Sequence, residues 1–177
     1  MDYGNPATGV GLLTVGGNVV LAGNLSLGNQ PGGDLAVVGN WTNTGTAGNF
    51  DPKGRAVIFN GTGTQNITNT LGETFNFLII NKTAGSVKLA NNVTVNGNTG
   101  SVLQLLNAGT LDLNGKSLTL SNNGGGILVD GAARTLTSTV SGATINVTGT
   151  KAVSSTNGGS LIIAPNITTV LTSGLDF

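Results

Sequence analysis

Seven carboxylates, Asp2, Asp34, Asp51, Glu73, Asp112, Asp130 and Asp176, are the natural starting point for any acid–base or metal chemistry in this 177-residue sequence. There is no His and no Cys. Their absence removes the usual general base near neutral pH, the Ser-His-Asp and Cys-His nucleophile pairs, zinc chemistry and any disulfide framework. Glycoside hydrolysis needs two carboxyls roughly 5 to 9.5 Å apart. Asp112 and Asp130 stand about one short coil apart in the sequence, so they could stack on successive turns. Such a pair more often means two solvated strand or turn carboxylates, and no catalytic residue is assigned.

Calcium would demand roughly six to eight oxygen ligands. The G-G-x-G-x-D repeat of calcium-binding β-rolls is missing: Gly32 to Asp34 and Gly124 to Gly126 are isolated fragments of it. A site near Asp51 or Asp130 would rest mainly on carbonyls, and neither a metal site nor a cofactor is assigned. Thr-x-Thr units begin at Thr42, Thr62, Thr68, Thr135 and Thr148. An ice-binding ladder needs one pair per coil at a constant interval, which these do not keep. Asn-x-Ser/Thr sequons begin at Asn24, Asn40, Asn60, Asn66, Asn81, Asn92, Asn146 and Asn166, several of them expected by chance in a chain this rich in Asn and Thr. Trp41 or Tyr3 could stack on a pyranose ring if exposed, although a lone Trp beside an apolar run is more often half-buried packing.

Any such group has to be positioned by a chain with 38% hydrophobic residues, only 4% aromatic and 8% charged, seven basic against seven acidic. Net zero charge excludes the basic footprint of a nucleic-acid binder. No apolar run approaches the roughly 20 residues needed to cross a bilayer. The opening MDYGNPATGVG has neither a basic n-region nor an apolar h-region, so no signal peptide is expected in it.

Short runs of alternating β-branched and aliphatic residues, AVIFN, QNIT, FNFLIIN, SVKLA and NVTVN, fill Ala56 to Gly97, each closed within a few residues by Asn, Gly or Ala-Gly. Alternation at spacing two buries one face of a strand, and Asn and Gly tolerate the positive φ of tight corners. Val57, Phe59, Ile67, Phe75, Leu78, Ile80, Val87, Leu89, Val93 and Val95 are the expected inward positions. Similar runs precede this stretch from Val10 to Asn29 and follow it from Ser101. About 18 short strands suggest six or seven coils of three, an all-β, single-domain parallel β-helix spanning 1–177. Segment 30–55 breaks the rhythm with NQPGG and NFDPKGR and is expected to be a lateral loop or a cap. The alternative architecture is an antiparallel β-sandwich, disfavoured by connections of two to four residues and by edges without protective charge. In a parallel stack, Asn at recurring corners could form amide ladders.

The pattern V-x-F-N-G-x-G-x-Q-x-I at Val57 to Ile67, then F-x-x-L-x-I-N-x-x-A-G-x-V-x-L-x-x-x-V-T-V-x-G at Phe75 to Gly97, resembles repeats of very large secreted or surface-anchored bacterial proteins of Bacteroidetes type. Thr110 to Gly125 looks like their usual continuation. More loosely, the chain is similar to filamentous-haemagglutinin-type solenoids. The resemblance implies a parallel β-helix, an extracellular or cell-surface setting and a non-enzymatic role as stalk, adhesin or scaffold, and it carries no active-site residue. Implied partners are neighbouring domains, copies of the chain end to end, or surface glycans, with no nucleic acid and no membrane insertion. Two alternatives stand beside it: a head-to-tail filament subunit, and a carbohydrate-binding or polysaccharide-degrading β-helix.

Overall fold

The computed structural model describes residues 11–97, 99–121, 126–148, 151–172 and 175–176. Every regular element among them is a strand. The chain lays them down in successive triplets: β1 (Leu13–Val15), β2 (Val19–Leu21) and β3 (Leu25–Ser26); β4 (Leu35–Val37), β5 (Trp41–Asn43) and β6 (Phe50–Asp51); β7 (Ala56–Phe59), β8 (Gln65–Asn69) and β9 (Glu73–Phe75). There follow β10 (Phe77–Lys82), β11 (Ser86–Leu89) and β12 (Val93–Val95); β13 (Ser101–Asn107), β14 (Thr110–Asp112) and β15 (Ser117–Leu120); β16 (Gly126–Val129), β17 (Ala133–Thr137) and β18 (Ala143–Val147). The last triplet is β19 (Lys151–Ser155), β20 (Ser160–Ile163) and β21 (Ile167–Leu171), with β22 (Leu175–Asp176) beginning again on the first side.

Up to β19, every strand but β6 hydrogen-bonds, in parallel, to the strand three places on, which makes the chain a β-solenoid of about six turns. One sheet runs unbroken through eight strands, β1-β4-β7-β10-β13-β16-β19-β22, and a second through seven, β2-β5-β8-β11-β14-β17-β20. The third side is divided: β3 pairs only with β6, and a separate five-stranded sheet starts at β9 and climbs through β12, β15, β18 and β21. At about 4.8 Å per coil the stack rises roughly 30 Å. A sandwich, with its antiparallel pairing, is excluded.

Alternation does the folding work. All ten inward positions expected between Val57 and Val95 are buried to 1% exposure or less. In-register pairing then turns them into columns, for example Leu13, Leu35, Val57, Leu78, Leu103, Ile127 and Val153 on the first side. On the third side Val93, Leu118 and Ile145 form another. Coil length varies, from Glu73 beneath Val93 to Leu118 beneath Ile145, yet the inward residues stay in register because the extra residues are absorbed at the corners. Two of those corners have the same left-handed pair, Lys53-Gly54 (φ 49° and 72°) and Asn114-Gly115 (φ 49° and 72°). A glycine second in such a pair avoids the Cβ clash of two consecutive positive-φ residues.

Segment 30–55 departs from expectation. It holds β4, β5 and β6 and forms a regular coil within the stack rather than a lateral loop or cap. Its Pro residues, Asp34, Lys53 and Arg55 lie between the strands, and Asp51 ends β6, so they break the visible pattern without breaking the winding.

The corners are closed by side chains reaching along the axis. Asn18 Oδ1 accepts the Asn40 amide N–H at 2.8 Å, and Asn40 Oδ1 accepts that of Asn66 at 2.8 Å, a column one coil per step. Asn76 Nδ2 donates to Asn96 Oδ1 at 2.6 Å, and Asn107 Nδ2 donates to Asn81 Oδ1. The expected amide ladders are present in this mixed form, in which a side-chain carbonyl often serves the backbone of the next coil. Each satisfies a polar group that an isolated tight turn would leave to solvent.

Candidate functional site

Three groups of polar residues deserve comparison, because a site needs reactive groups that are both convergent and accessible. The first is buried where the third side divides. Trp41 Nε1 donates to Glu73 Oε2 at 2.7 Å, and Asn43 Nδ2 donates to the same oxygen at 3.0 Å. Asn43 and Asn49 exchange amide hydrogen bonds of 2.8 and 2.9 Å, and Asn49 Nδ2 also donates to the Gly23 carbonyl at 2.9 Å. Trp41, Phe50 and Phe75 pack edge to face around this node, with centroids 4.8 to 5.9 Å apart. Trp41 is fully buried and cannot stack on a sugar. Glu73 occupies the foot of the Val93–Leu118–Ile145 column, and its carboxyl ties β9 to β5 of the second side, from which the Asn43–Asn49 pair reaches the start of β6.

The second group is also buried. Lys82, at the end of β10, is wholly enclosed; its Nζ donates to Gln65 Oε1 at 2.7 Å and to the Gly61 carbonyl. Gln65 Nε2 in turn donates to the Val37 and Gly39 carbonyls at 2.9 and 2.6 Å. Burial lowers the Lys82 pKa to about 8, because removing the ammonium from water disfavours its charged form. A neutral lysine amine can be a nucleophile or a base, but this one is enclosed against the Gly61 carbonyl and the Gln65 side-chain oxygen. Both buried nodes therefore serve the fold.

The remaining carboxylates are separated and individually engaged, Asp112 buried and Asp51 and Asp130 more open. Asp112 accepts from the backbone N–H of Asn114 and of Thr139, each at 2.9 Å, and from Thr139 Oγ1 at 2.8 Å, with Lys88 Nζ 3.8 Å away. Asp130 is paired with Arg134 Nε at 2.5 Å and accepts the Asn107 amide N–H. The two do not stack: Asp112 is in register with Lys88 below and Thr137 above, whereas Asp130 follows β16 on the first side. Coils are longer than the spacing between this pair. Asp51 pairs with Lys53 at 2.7 Å, and the Lys53 hydrogen bond holds its carboxyl below the usual range. Asp2 lies outside the described residues, as do Tyr3 and the Asp176 side chain. Among the described residues no three His, Cys, Asp or Glu side chains converge as metal ligands, and no helix is long and apolar enough to cross a membrane. Threonines do form an outward column, Thr74, Thr94 and Thr119, but one per coil rather than in pairs.

The third group is exposed. Outside the eight-stranded sheet lies a groove of about 480 Å³, lined by Asp34, Arg55, Phe77, Ile79, Thr99 and Gln104 together with the backbone of Gly54 and Ala56. Phe77 and Ile79 are the outward members of β10, whose exposure alternates between half-buried and buried. Arg55 leaves the Lys53-Gly54 turn, closed by its own N–H donating to the Pro52 carbonyl at 2.8 Å, and its stem crosses Gly33. A Cβ at Gly33 would crowd the Gly28 and Gln30 carbonyl oxygens at 3.0 and 3.3 Å, while Arg55 Cδ lies at an ordinary contact distance of 3.6 Å. Asp34 Oδ1 accepts the Ala56 N–H at 2.8 Å. Arg55 Nε is buried and has no hydrogen-bond partner among the described residues. In the sequence Arg55 stands only within the NFDPKGR turn cluster, and Phe77 is marked only by the alternation that puts Leu78 and Ile80 inside.

Set against known proteins, the chain matches no family model, no curated protein and no solved structure.

Proposed function

We propose that this solenoid is a non-enzymatic structural or adhesive segment of a secreted or cell-surface bacterial protein, of the kind that the Val57 to Gly97 pattern resembles, and that it acts as a rigid stalk or scaffold. The observation that supports this reading most is the eight-stranded parallel sheet running without a break from β1 to β22. Hydrogen bonds along that sheet lie roughly parallel to the axis, so at each interface between coils an axial load is shared by several bonds side by side, with aliphatic columns behind them. Neighbouring domains of a longer chain, or further copies, would continue the stack. Force spectroscopy on the chain between two well-characterised domains tests the role. Stepwise unfolding at forces well above those of the flanking domains is expected, and extension as a soft coil at low force overturns it.

A second version, a head-to-tail filament subunit, is favoured by apolar residues left open toward both ends of the described stack. Leu12 and Leu13 are 55% and 49% exposed at one end, and Val170 and Leu171 are 40% and 49% exposed at the other. Unprotected strand edges with apolar rims recruit further strands. Fibres growing with concentration in electron micrographs, and their loss in Leu13→Lys or Leu171→Lys, are the expected signs. A monodisperse monomer at millimolar concentration leaves the stalk alone.

A further inference from the structure

We propose that two copies of this chain pair side by side through the outer face of the eight-stranded sheet, with their rods pointing the same way. This goes beyond the stalk reading and does not depend on it.

The first observation is the composition of that sheet. β4, β7, β10 and β16 contain the unbroken apolar runs LAV, AVIF, FLII and ILV. Runs of this kind mark parallel strands covered on both faces, whereas a sheet with one face in water alternates apolar with polar. The inner members fill the core. The outer ones, Ala36, Ile58, Ile79 and Leu128, stand in one register column broken only by Gln104. Phe77 and Leu106 flank it half-buried, and Val38 is 40% exposed. The other two sides do alternate. Their outward columns hold Asn66, Lys88, Asp112 and Thr137 on the second side, and Thr74, Thr94, Thr119 and Asn146 on the third. One wall of the three therefore carries apolar residues on both faces, the mark of a contact surface.

The second observation identifies what fits it. The central column carries no charge, and each edge holds one acid and one base: Asp34 and Arg55 where the strands begin, Asp130 and Arg134 beyond the end of β16. Such a face is neutral within a polar rim and complements itself, and a chain of net zero charge brings two copies together without repulsion. At about 4.8 Å per strand and about 3.3 Å per residue, the face from β1 to β19 covers roughly 30 by 15 Å, or about 900 Å² over two copies, the size of a weak and reversible interface. Flat sheets stack in this way at a separation of about 10 Å. A twofold axis along the rod lays the strand-end half of each copy, with Val38 and Leu106, over the strand-start half of the other, where the groove of about 480 Å³ at Phe77 and Ile79 is sunk. An axis across the rods would set groove against groove, so the first arrangement is the one assigned.

Sedimentation velocity of the full chain over about 10 to 500 µM, where weak pairs form, tests the proposal. A shift from monomer to dimer that stops at two copies is expected. Ile79→Lys and Leu128→Lys should each weaken the pair at least tenfold. Thr94→Lys on the third side and Leu171→Lys at the end of the stack should match the parent, which separates pairing of faces from stacking of ends. Circular dichroism checks folding, and if the lysine variants do not fold, Gln104→Glu carries the test: nearly isosteric, it sets two carboxylates close to the axis and should weaken the pair several-fold at neutral pH. The chain has no Cys, so Ser154→Cys, in the same column as Leu128, reports the orientation. In rods of one polarity it meets its own copy and should give a disulfide-linked dimer on mild oxidation. A monomer throughout the range, association undiminished in the folded face variants, assembly beyond two copies that Leu171→Lys abolishes, or Ser154→Cys linking only to Thr14→Cys in a mixture would each overturn the proposal.

Discussion

Coils built from residues 35–97 and those built from residues 101–148 share one winding and differ in what fills it. The later coils are almost wholly aliphatic inside, with Leu103, Leu105, Leu111, Leu118, Leu120, Val129, Leu136, Ile145 and Val147 all at 2% exposure or less. The earlier coils enclose four aromatic rings and two hydrogen-bonded nodes, Trp41-Asn43-Asn49-Glu73 and Lys82-Gln65. The first node shows that a solenoid core accepts polar residues where backbone pairing fails, and the second that it accepts them between fully paired strands when every polar atom finds a partner. The first node lies where β6 and β9 leave the third side unpaired, and side chains replace the missing rungs.

Four changes would sharpen or break that contrast. The largest effect is expected from Trp41→Ala, which removes the centre of the ring cluster and one donor to Glu73. A loss of about 3–5 kcal/mol is anticipated in urea unfolding. Hydrogen exchange should rise first in residues 35–97, and uniform loss of protection over the whole stack would show that the two regions are one cooperative unit. Leu105→Ala, in the aliphatic region, should cost about 2–5 kcal/mol with exchange rising around 101–129 instead.

The Lys82 node makes a prediction about pH. Its pKa is lowered in the folded chain from 10.5 to about 8, so between those values the unfolded chain binds more protons. Stability from this group therefore rises as pH climbs from about 8 toward 10.5, by as much as a few kcal/mol, and the burial penalty is fully present below pH 8. Lys82→Met should flatten that part of the stability profile, and an unchanged slope in the variant would remove Lys82 as its source. The smallest effect is expected from Asp112→Asn. The new amide keeps a carbonyl for the Asn114 and Thr139 backbone N–H groups but forfeits the acceptor of the 2.8 Å Thr139 Oγ1 hydrogen bond and a 3.8 Å contact with Lys88, so a loss of about 1–2 kcal/mol is anticipated. A larger loss would mean that the later coils also lean on a polar node.

The same contrast explains what could be read from the residues in order. Aliphatic alternation makes columns legible, so the parallel winding and the ten inward positions from Val57 to Val95 emerge from the sequence. Glu73, Lys82 and Asn43 were not legible as core, since long polar side chains in strands ordinarily face water and only coils wound together reveal their partners. Segment 30–55 misled for the opposite reason: Pro31, Pro52 and the charges near them mark turns, and their density hid three short strands. The groove was the least legible, because Asp34, Arg55, Phe77 and Gln104 come from four successive coils and meet only through pairing in depth. Asp112 and Asp130 looked alike in sequence and belong to different sides.

The gap between β6 and β9 also marks where the rod should snap. Tension along the axis is carried by backbone on all three walls elsewhere, but between these coils by two walls and a knot of indole, amide and carboxyl. Pulled from its ends, the molecule should shed its first two coils as a single early rip, and Glu73→Ala should bring that rip to lower force while leaving the later ones where they were.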